Sequence, residues 1–254
     1  MKKFCALLLI YLCIFPCISY PDSTSDLVSD IKNKEIDITS NFNGSELFIF
    51  GASKKQDGEV ESITHGIIIE VIGTSKTKKI RMKDRRFGIW INDSEEVLHG
   101  VPDFYFITSS HAITDLLNET NRIKNQIGIE NHLREGNSDV RQEYIEALVR
   151  IQTKNKLYQF EEGTLDLKDN TLFSTKVVLP NNINEGFYII KTHLADGTNV
   201  INVDKQLLVV KKVGLGNFLF NLAHTAPFTY GVFSIIVALL SGWLASEAFR
   251  RLRG

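Results

Sequence analysis

Residues 226–246 read APFTYGVFSIIVALLSGWLAS, and this stretch decides how the rest of the chain is understood. It holds no charged residue. A helix rises 1.5 Å per residue, so the run covers roughly 30 Å, the thickness of a bilayer core. Glu247 follows, then Arg250, Arg251 and Arg253. Basic residues against one end of a span favour the cytoplasmic side. Trp243 near that end, and Phe228 and Tyr230 near the other, suit the two interfaces. Residues 226–247 are therefore expected to form a transmembrane helix and 248–254 a cytoplasmic tail. Within the span, Gly231, Ser234, Ala238, Gly242 and Ala245 step by three, four, four and three, which sets them on one helix face. Small residues on one face let helices approach closely in lipid. The span is expected to be a packing face as well as a tether; the plain alternative is the general richness of membrane helices in small residues.

The other terminus completes this topology. Met1-Lys2-Lys3 is basic, Phe4 to Phe15 is apolar, and Pro16-Cys17-Ile18-Ser19 follows. That order is a secretory signal peptide over 1–19, with cleavage after Ser19. An uncleaved second anchor is the alternative. All three cysteines, Cys5, Cys13 and Cys17, lie inside it. The mature chain then has no disulfide and no cysteine metal site, and an exported domain of roughly 200 residues must be held by its core. The formal charge is −1, to which Lys2, Lys3, Arg250, Arg251, Arg253 and Glu247 contribute +4, leaving about −5 outside the two termini. An acidic exported domain is not a general nucleic-acid binder.

Inside these termini, residues 20–34 are polar and Ser/Asp-rich and read as a loose leader. Strand patterns then dominate 35–110. They comprise Ile36-Asp37-Ile38, Glu46 to Ser53, Gly66 to Gly73 (GIIIEVIG), Thr77 to Lys83, Phe87 to Ile91 and Phe104 to Ser109. Short strands at this spacing predict a sandwich. From 111 to 157 the period changes. Ile113, Leu116, Leu117, Thr120, Ile123 and Ile127 recur at helical spacing, Gly136-Asn137-Ser138 breaks the run with Ser138 as a cap, and Val140, Tyr144, Leu148 and Ile151 follow. This predicts an inserted helical hairpin. Strands resume over 158–212, either closing the sandwich or forming a second small β-domain, with a hairpin turn at Asp196-Gly197. Residues 213–225 read as a short amphipathic helix on the membrane surface. The predicted fold is mainly β: an immunoglobulin-like β-sandwich with a helical-hairpin insertion and one C-terminal transmembrane helix.

The segments Ile38 to Ala52, Lys83 to Asn92, Val101-Pro102-Asp103-Phe104-Tyr105, Gly186-Phe187-Tyr188, Lys212-Val213-Gly214 and Gly242 to Ser246 together resemble the alphaproteobacterial Alph_Pro_TM family of transmembrane proteins. The resemblance spans nearly the whole mature chain. It implies topology and lineage rather than a reaction, and it hints at a partner, because genes of the family often accompany permeases resembling sulfite exporters.

No catalytic or cofactor motif stands out, and no metal or cofactor is expected. Gly214-Leu215-Gly216 lacks the third glycine and the βα context of a dinucleotide site. His65, His99, His111, His132, His193 and His224 show no ligand spacing and read as separate surface or core residues. Ser110-His111 reads as mere adjacency, since sequence neighbours need not face each other. The one charge feature is Lys76 to Arg86 (KTKKIRMKDRR), seven of whose eleven residues are basic. Its plain reading is a solvated edge strand whose lysines block aggregation. Its functional reading is an anion-facing patch of Lys83, Arg85, Arg86, Trp90 and Asn92, directed at acidic lipid, an oxyanion or an acidic partner. Trp90 itself reads more readily as core between two sheets. The expected protein is a bacterial inner-membrane, single-pass protein with a periplasmic domain. Its expected role is binding or accessory, beside a transporter such as a sulfite-exporter-like permease, another envelope complex, or a second copy packed through the anchor. A membrane-tethered hydrolase without a recognisable motif and a structural envelope protein are the rival classes.

Overall fold

The computed structural model describes residues 27–53, 66–169 and 171–252. The expected signal peptide over 1–19 therefore lies outside the described residues. Among the described residues, twelve strands form three sheets. Strands β1 (Leu27–Ile31), β3 (Ser45–Ser53), β10 (Leu172–Leu179) and β9 (Asp166–Lys168) form a four-stranded sheet in the order β1-β3-β10-β9. Strands β2 (Glu35–Ile38), β12 (Asn199–Lys212), β11 (Gly186–Asp196), β4 (Gly66–Ile72), β7 (Tyr105–Ser109) and β8 (Tyr158–Glu161) form a six-stranded sheet in the order β2-β12-β11-β4-β7-β8. Strands β5 (Ser75–Arg86) and β6 (Ile89–Pro102) pair only with each other, as a long ribbon.

Strands β4 and β7, at the middle of the six-stranded sheet, are buried along almost their whole length because both of their faces are covered. Ile67, Ile69 and Val71 of β4 point into the core shared with the four-stranded sheet, against Leu47, Ile49, Phe173 and Val177. Ile68 points the other way, into a second core with Tyr105, Ile107, Leu116, Leu133, Tyr144 and Leu148. That second layer is helical: α1 (Ile113–Leu116), α2 (Glu119–Lys124), α3 (Ile129–Arg134) and α4 (Gln142–Lys154). The mainly β expectation with a C-terminal apolar helix holds.

Three sequence expectations need correction. Leu27–Ile31 is not loose leader: it pairs with β3, and Leu27 and Ile31 are buried. The helical insertion is four pieces rather than a two-helix hairpin. Leu117 is extended, Gln126 (φ 55°) and Gly136 (φ 88°) turn the chain with positive φ just after α2 and α3, and Gly128 (φ 97°) is the N-cap from which α3 starts. Ile123 consequently faces water. Ser138 caps nothing; α4 starts from Arg141 without a side-chain cap. Finally, Thr77–Lys83 and Phe87–Ile91 belong to one ribbon whose second strand runs on to Pro102. Its 92–102 stretch lacks clean alternation because much of the ribbon has water on both sides.

The base of the ribbon is held by the helical layer. Asn137 Nδ2 donates to the carbonyls of His99 and Leu133, and its Oδ1 accepts from His99 N–H at 2.8 Å. Ser94 Oγ meets Tyr144 Oη at 2.6 Å. Beyond Met82 and Ser94 no ribbon residue joins either core.

Strand β12 delivers the chain to its last two helices. Gly214 (φ 122°) turns it into α5 (Leu215–Thr225), Ala226 interrupts the helix, and Pro227 opens α6 (Pro227–Leu252). Proline suits a first helical position, where its missing N–H is no loss. The most apolar 18-residue window of Pro227–Arg251 has a mean hydropathy of 1.8, and none of it is buried against the rest of the protein. It is the one candidate membrane span among the described residues, and at 26 residues α6 is about 39 Å long.

Candidate functional site

The five residues singled out for an anion-facing patch all lie at the free end of the β5–β6 ribbon. Register pairs Lys83 with Asn92 and Arg85 with Trp90. Alternation along each strand then sets these four on one face. Trp90 is not core: it is 68% exposed, because the ribbon stands clear of both sheets. Arg86 lies on the opposite face, held by Asp84 (3.6 Å) and by Asp93. Lys79 and Arg81 both pair with Glu95 across the ribbon, at 3.1 and 2.7 Å. Lys83 and Arg85 make no ion pair among the described residues. Lys83, Arg85, Trp90 and Asn92 thus share one face of the ribbon tip, and Arg86 lies on the other.

A second surface was not foreseen. The helical layer covers β4, β7 and β8 and reaches β11 and β12 only near their hairpin turn, at His193, Ala195 and Val200, leaving the other end of both strands uncovered. Register aligns Phe187 with Val209 and Ile189 with Leu207 on that uncovered face. Phe187 is 63% and Leu207 51% exposed, with Ile189 between them also exposed. Lys191 and Lys205, paired in the next in-phase register, bound this apolar patch. From Leu207 only five residues, about 17 Å of strand, lead to Lys212 and the helices beyond. The patch thus sits at the end of the sheet nearest the candidate span.

A third feature is buried. Glu70 is the one charge in the run GIIIEVI, and it is fully enclosed between the sheet and the helices. Its Oε1 accepts from Tyr105 O–H (2.5 Å) and from Gly128 N–H (3.1 Å), and its Oε2 lies 3.0 Å from His193 Nε2. His132 Nε2 is 3.7 Å from Oε1, too far for a hydrogen bond. His193 Nδ1 is buried without a partner among the described residues, so the ring proton belongs on Nε2, donating to Glu70. Burial pushes the Glu70 carboxyl upward, but the imidazoles of His132 and His193 outweigh it and hold the group well below the usual carboxylate range. Burial, then the Glu70 charge, drives the Tyr105 phenol well above its ordinary value. The histidines that looked scattered in sequence are thus two partners of one carboxylate. The available signal was Glu70 itself, since a lone carboxylate inside a buried strand demands buried donors. A groove of about 660 Å³ opens beside Gly128. Glu119, Glu130, Glu135 and Glu162 line it together with Arg122 and Arg134; Arg122 pairs with Glu119, and the Gln126 amide donates to Glu135.

Asp103 is the opposite case. Its side chain is 2% exposed, and neither oxygen is hydrogen-bonded. Lys76 stands 3.7 Å away with half its side chain in water. Burial pushes the Asp103 carboxyl up, against the pull of Asn184, Lys76 and Lys78. An acid raised on folding opposes stability at neutral pH, and the penalty fades as pH falls through its folded-state value. Asp103→Asn should therefore leave thermal stability unchanged or raise it by up to about 1 kcal/mol near pH 7, with the gain vanishing in acid. A loss of stability at pH 7 would contradict this.

Ser110 and His111 do meet, contrary to expectation, at 3.1 Å between Oγ and Nδ1. The same hydroxyl accepts the Ile67 backbone N–H at 3.1 Å, a local tie that secures the start of β4. The small residues of α6, Gly231, Ser234, Ala238, Gly242 and Ala245, fall on a helix with no protein packed over it among the described residues; a Cβ on Gly231 or Gly242 would touch nothing. No group of three or more metal-ligating side chains occurs among the described residues.

No curated protein matches this chain. The family profile described as "Putative transmembrane protein (Alph_Pro_TM)" matches residues 26–251, which takes in every strand and helix above except the final residue of α6. The chain belongs to the Alph_Pro_TM family of transmembrane proteins.

Proposed function

We propose that this protein is a membrane-anchored accessory subunit, whose folded domain docks on another integral membrane protein. The observation that carries this reading is the uncovered apolar face of Phe187, Ile189 and Leu207 on β11 and β12, the latter being the last strand before α5 and the candidate span. A contiguous apolar surface bounded by Lys191 and Lys205, on a domain tied by chain to a candidate span, suits a neighbour that is itself in the membrane. Family resemblance points to permeases resembling sulfite exporters as the first partners to test. The small-residue face of α6 offers that partner a helix-packing contact within the bilayer. The signal-like N-terminus and the arginines after the span support an inner-membrane protein with its β-domain in the periplasm and its C-terminus in the cytoplasm.

Two experiments test this. A reporter active only in the periplasm, fused after Gly254, should be silent, and strong activity would overturn the topology. Crosslinked membranes, followed by recovery of the tagged full chain, should yield a transporter-type integral membrane protein in near-equal amount. Recovery of the chain alone would overturn the accessory reading.

A further inference from the structure

The ribbon ends in an unusual turn. Phe87 and Gly88 are its two central residues, between the paired Arg86 and Ile89, and both have positive φ (53° and 85°). Such a two-residue turn favours Asn, Asp or Gly at its first position. A bulky aromatic there is strained, and strain of this kind concentrates at working surfaces. Phe87 is also completely exposed, at 105%. Ile89 and Trp90 beside it are exposed as well, and none of the three enters either core. Behind this apolar apex stand Lys83 and Arg85, sharing the Trp90 face, while Asp84 and Asp93 are engaged with Arg86.

Exposed rings backed by free cations match the boundary of an anionic bilayer, with rings at the headgroup level and cations beside phosphates. A bilayer is within reach of the chain, which carries a candidate span. The ribbon also starts at the sheet end where β12 leaves toward α5 and, after it, the span. Thr74, just before β5, donates its hydroxyl to the Phe187 carbonyl at 3.2 Å, and Phe187 is paired with Val209 of β12. Twelve residues of β5 extend about 40 Å from there.

We propose that the ribbon tip is a lipid-contact finger. Phe87, Ile89 and Trp90 enter the headgroup layer of an anionic bilayer, and Lys83 and Arg85 bind lipid phosphates. This site is independent of the Phe187–Leu207 face, so either can fail without the other.

The chain has two tryptophans, so Trp243→Phe leaves Trp90 as the only indole reporter. The full chain carrying that change is reconstituted into vesicles of phosphatidylcholine, with or without phosphatidylglycerol, containing brominated acyl chains. Trp90 emission should be blue-shifted and quenched by bromine, several-fold more strongly with phosphatidylglycerol present. Lys83→Glu with Arg85→Glu should remove that lipid dependence. Phe87→Asn is the sharper variant. Asparagine tolerates positive φ, so thermal stability should hold or rise while bromine quenching falls. Emission typical of water, open to iodide and insensitive to bromine, would overturn the proposal. So would equal quenching in both lipid compositions. A blue shift insensitive to bromine would place a second copy or another protein on the tip instead.

Discussion

Glu70→Ala should lower the melting temperature of the detergent-solubilised protein by about 10 °C. Removing one partner from a buried, hydrogen-bonded charge cluster destabilises by about 3–5 kcal/mol, and each kcal/mol is worth about 2–4 °C in a domain of this size. The loss comes from what is left behind. Tyr105 O–H, Gly128 N–H and His193 Nε2–H would all point at a cavity with no acceptor. Glu70→Gln keeps one carbonyl acceptor but turns an amide donor toward these donors, so it should fall between alanine and wild type. The pH dependence has a definite sign. A carboxylate depressed on folding contributes its full stability above its unfolded value, near 4.5, and loses it as pH falls toward the folded-state value. Wild type should therefore lose stability more steeply than Glu70→Gln between about pH 5 and pH 2. Parallel pH profiles for the two proteins would show that folding does not depress the Glu70 carboxyl.

Phe187→Asp combined with Leu207→Asp should abolish partner recovery from membranes while leaving the fold intact. Both side chains are exposed, so the change should shift stability by no more than about 0.5 kcal/mol. If the face is an interface, a central aromatic and its neighbour are worth about 2 kcal/mol or more, and the complex should weaken by at least about 30-fold. Charge placed at Val178, exposed on the four-stranded sheet, should do nothing. Equal loss at both places would indicate a general defect in folding or insertion.

Much of this architecture was legible along the chain. GIIIEVIG and the 171–179 and 186–211 strands carry continuous or alternating apolar character, because one or both of their faces are buried. The span was legible from length and hydropathy alone. Segments whose structure depends on distant partners were not. Leu27–Ile31 is only five residues long in a polar stretch, and it becomes a strand because β3 offers an edge. The helical insertion had the right period at Ile113, Leu116 and Leu117, but the positive-φ residues Gln126 and Gly128 divide it. Trp90 looked like core because tryptophan usually is, and no local pattern shows that the ribbon leaves the sheets. His132 and His193 are sixty-one positions apart and meet only because α3 lies across β4 and β11. The apolar face of β11 and β12 was hidden for a related reason. Period-two alternation shows that Phe187, Ile189 and Leu207 share a face, but not that the helices stop before covering it.

The account rests most on that face, and site-specific photocrosslinking in native membranes tests it most directly. A photoreactive residue is placed at Leu207 in the full chain, and another at Ser174, exposed on the four-stranded sheet, as the comparison. Leu207 should give one discrete adduct with an integral membrane protein, and Ser174 should give none. Absence of any adduct at Leu207, or the same adducts from both positions, would contradict the docking role.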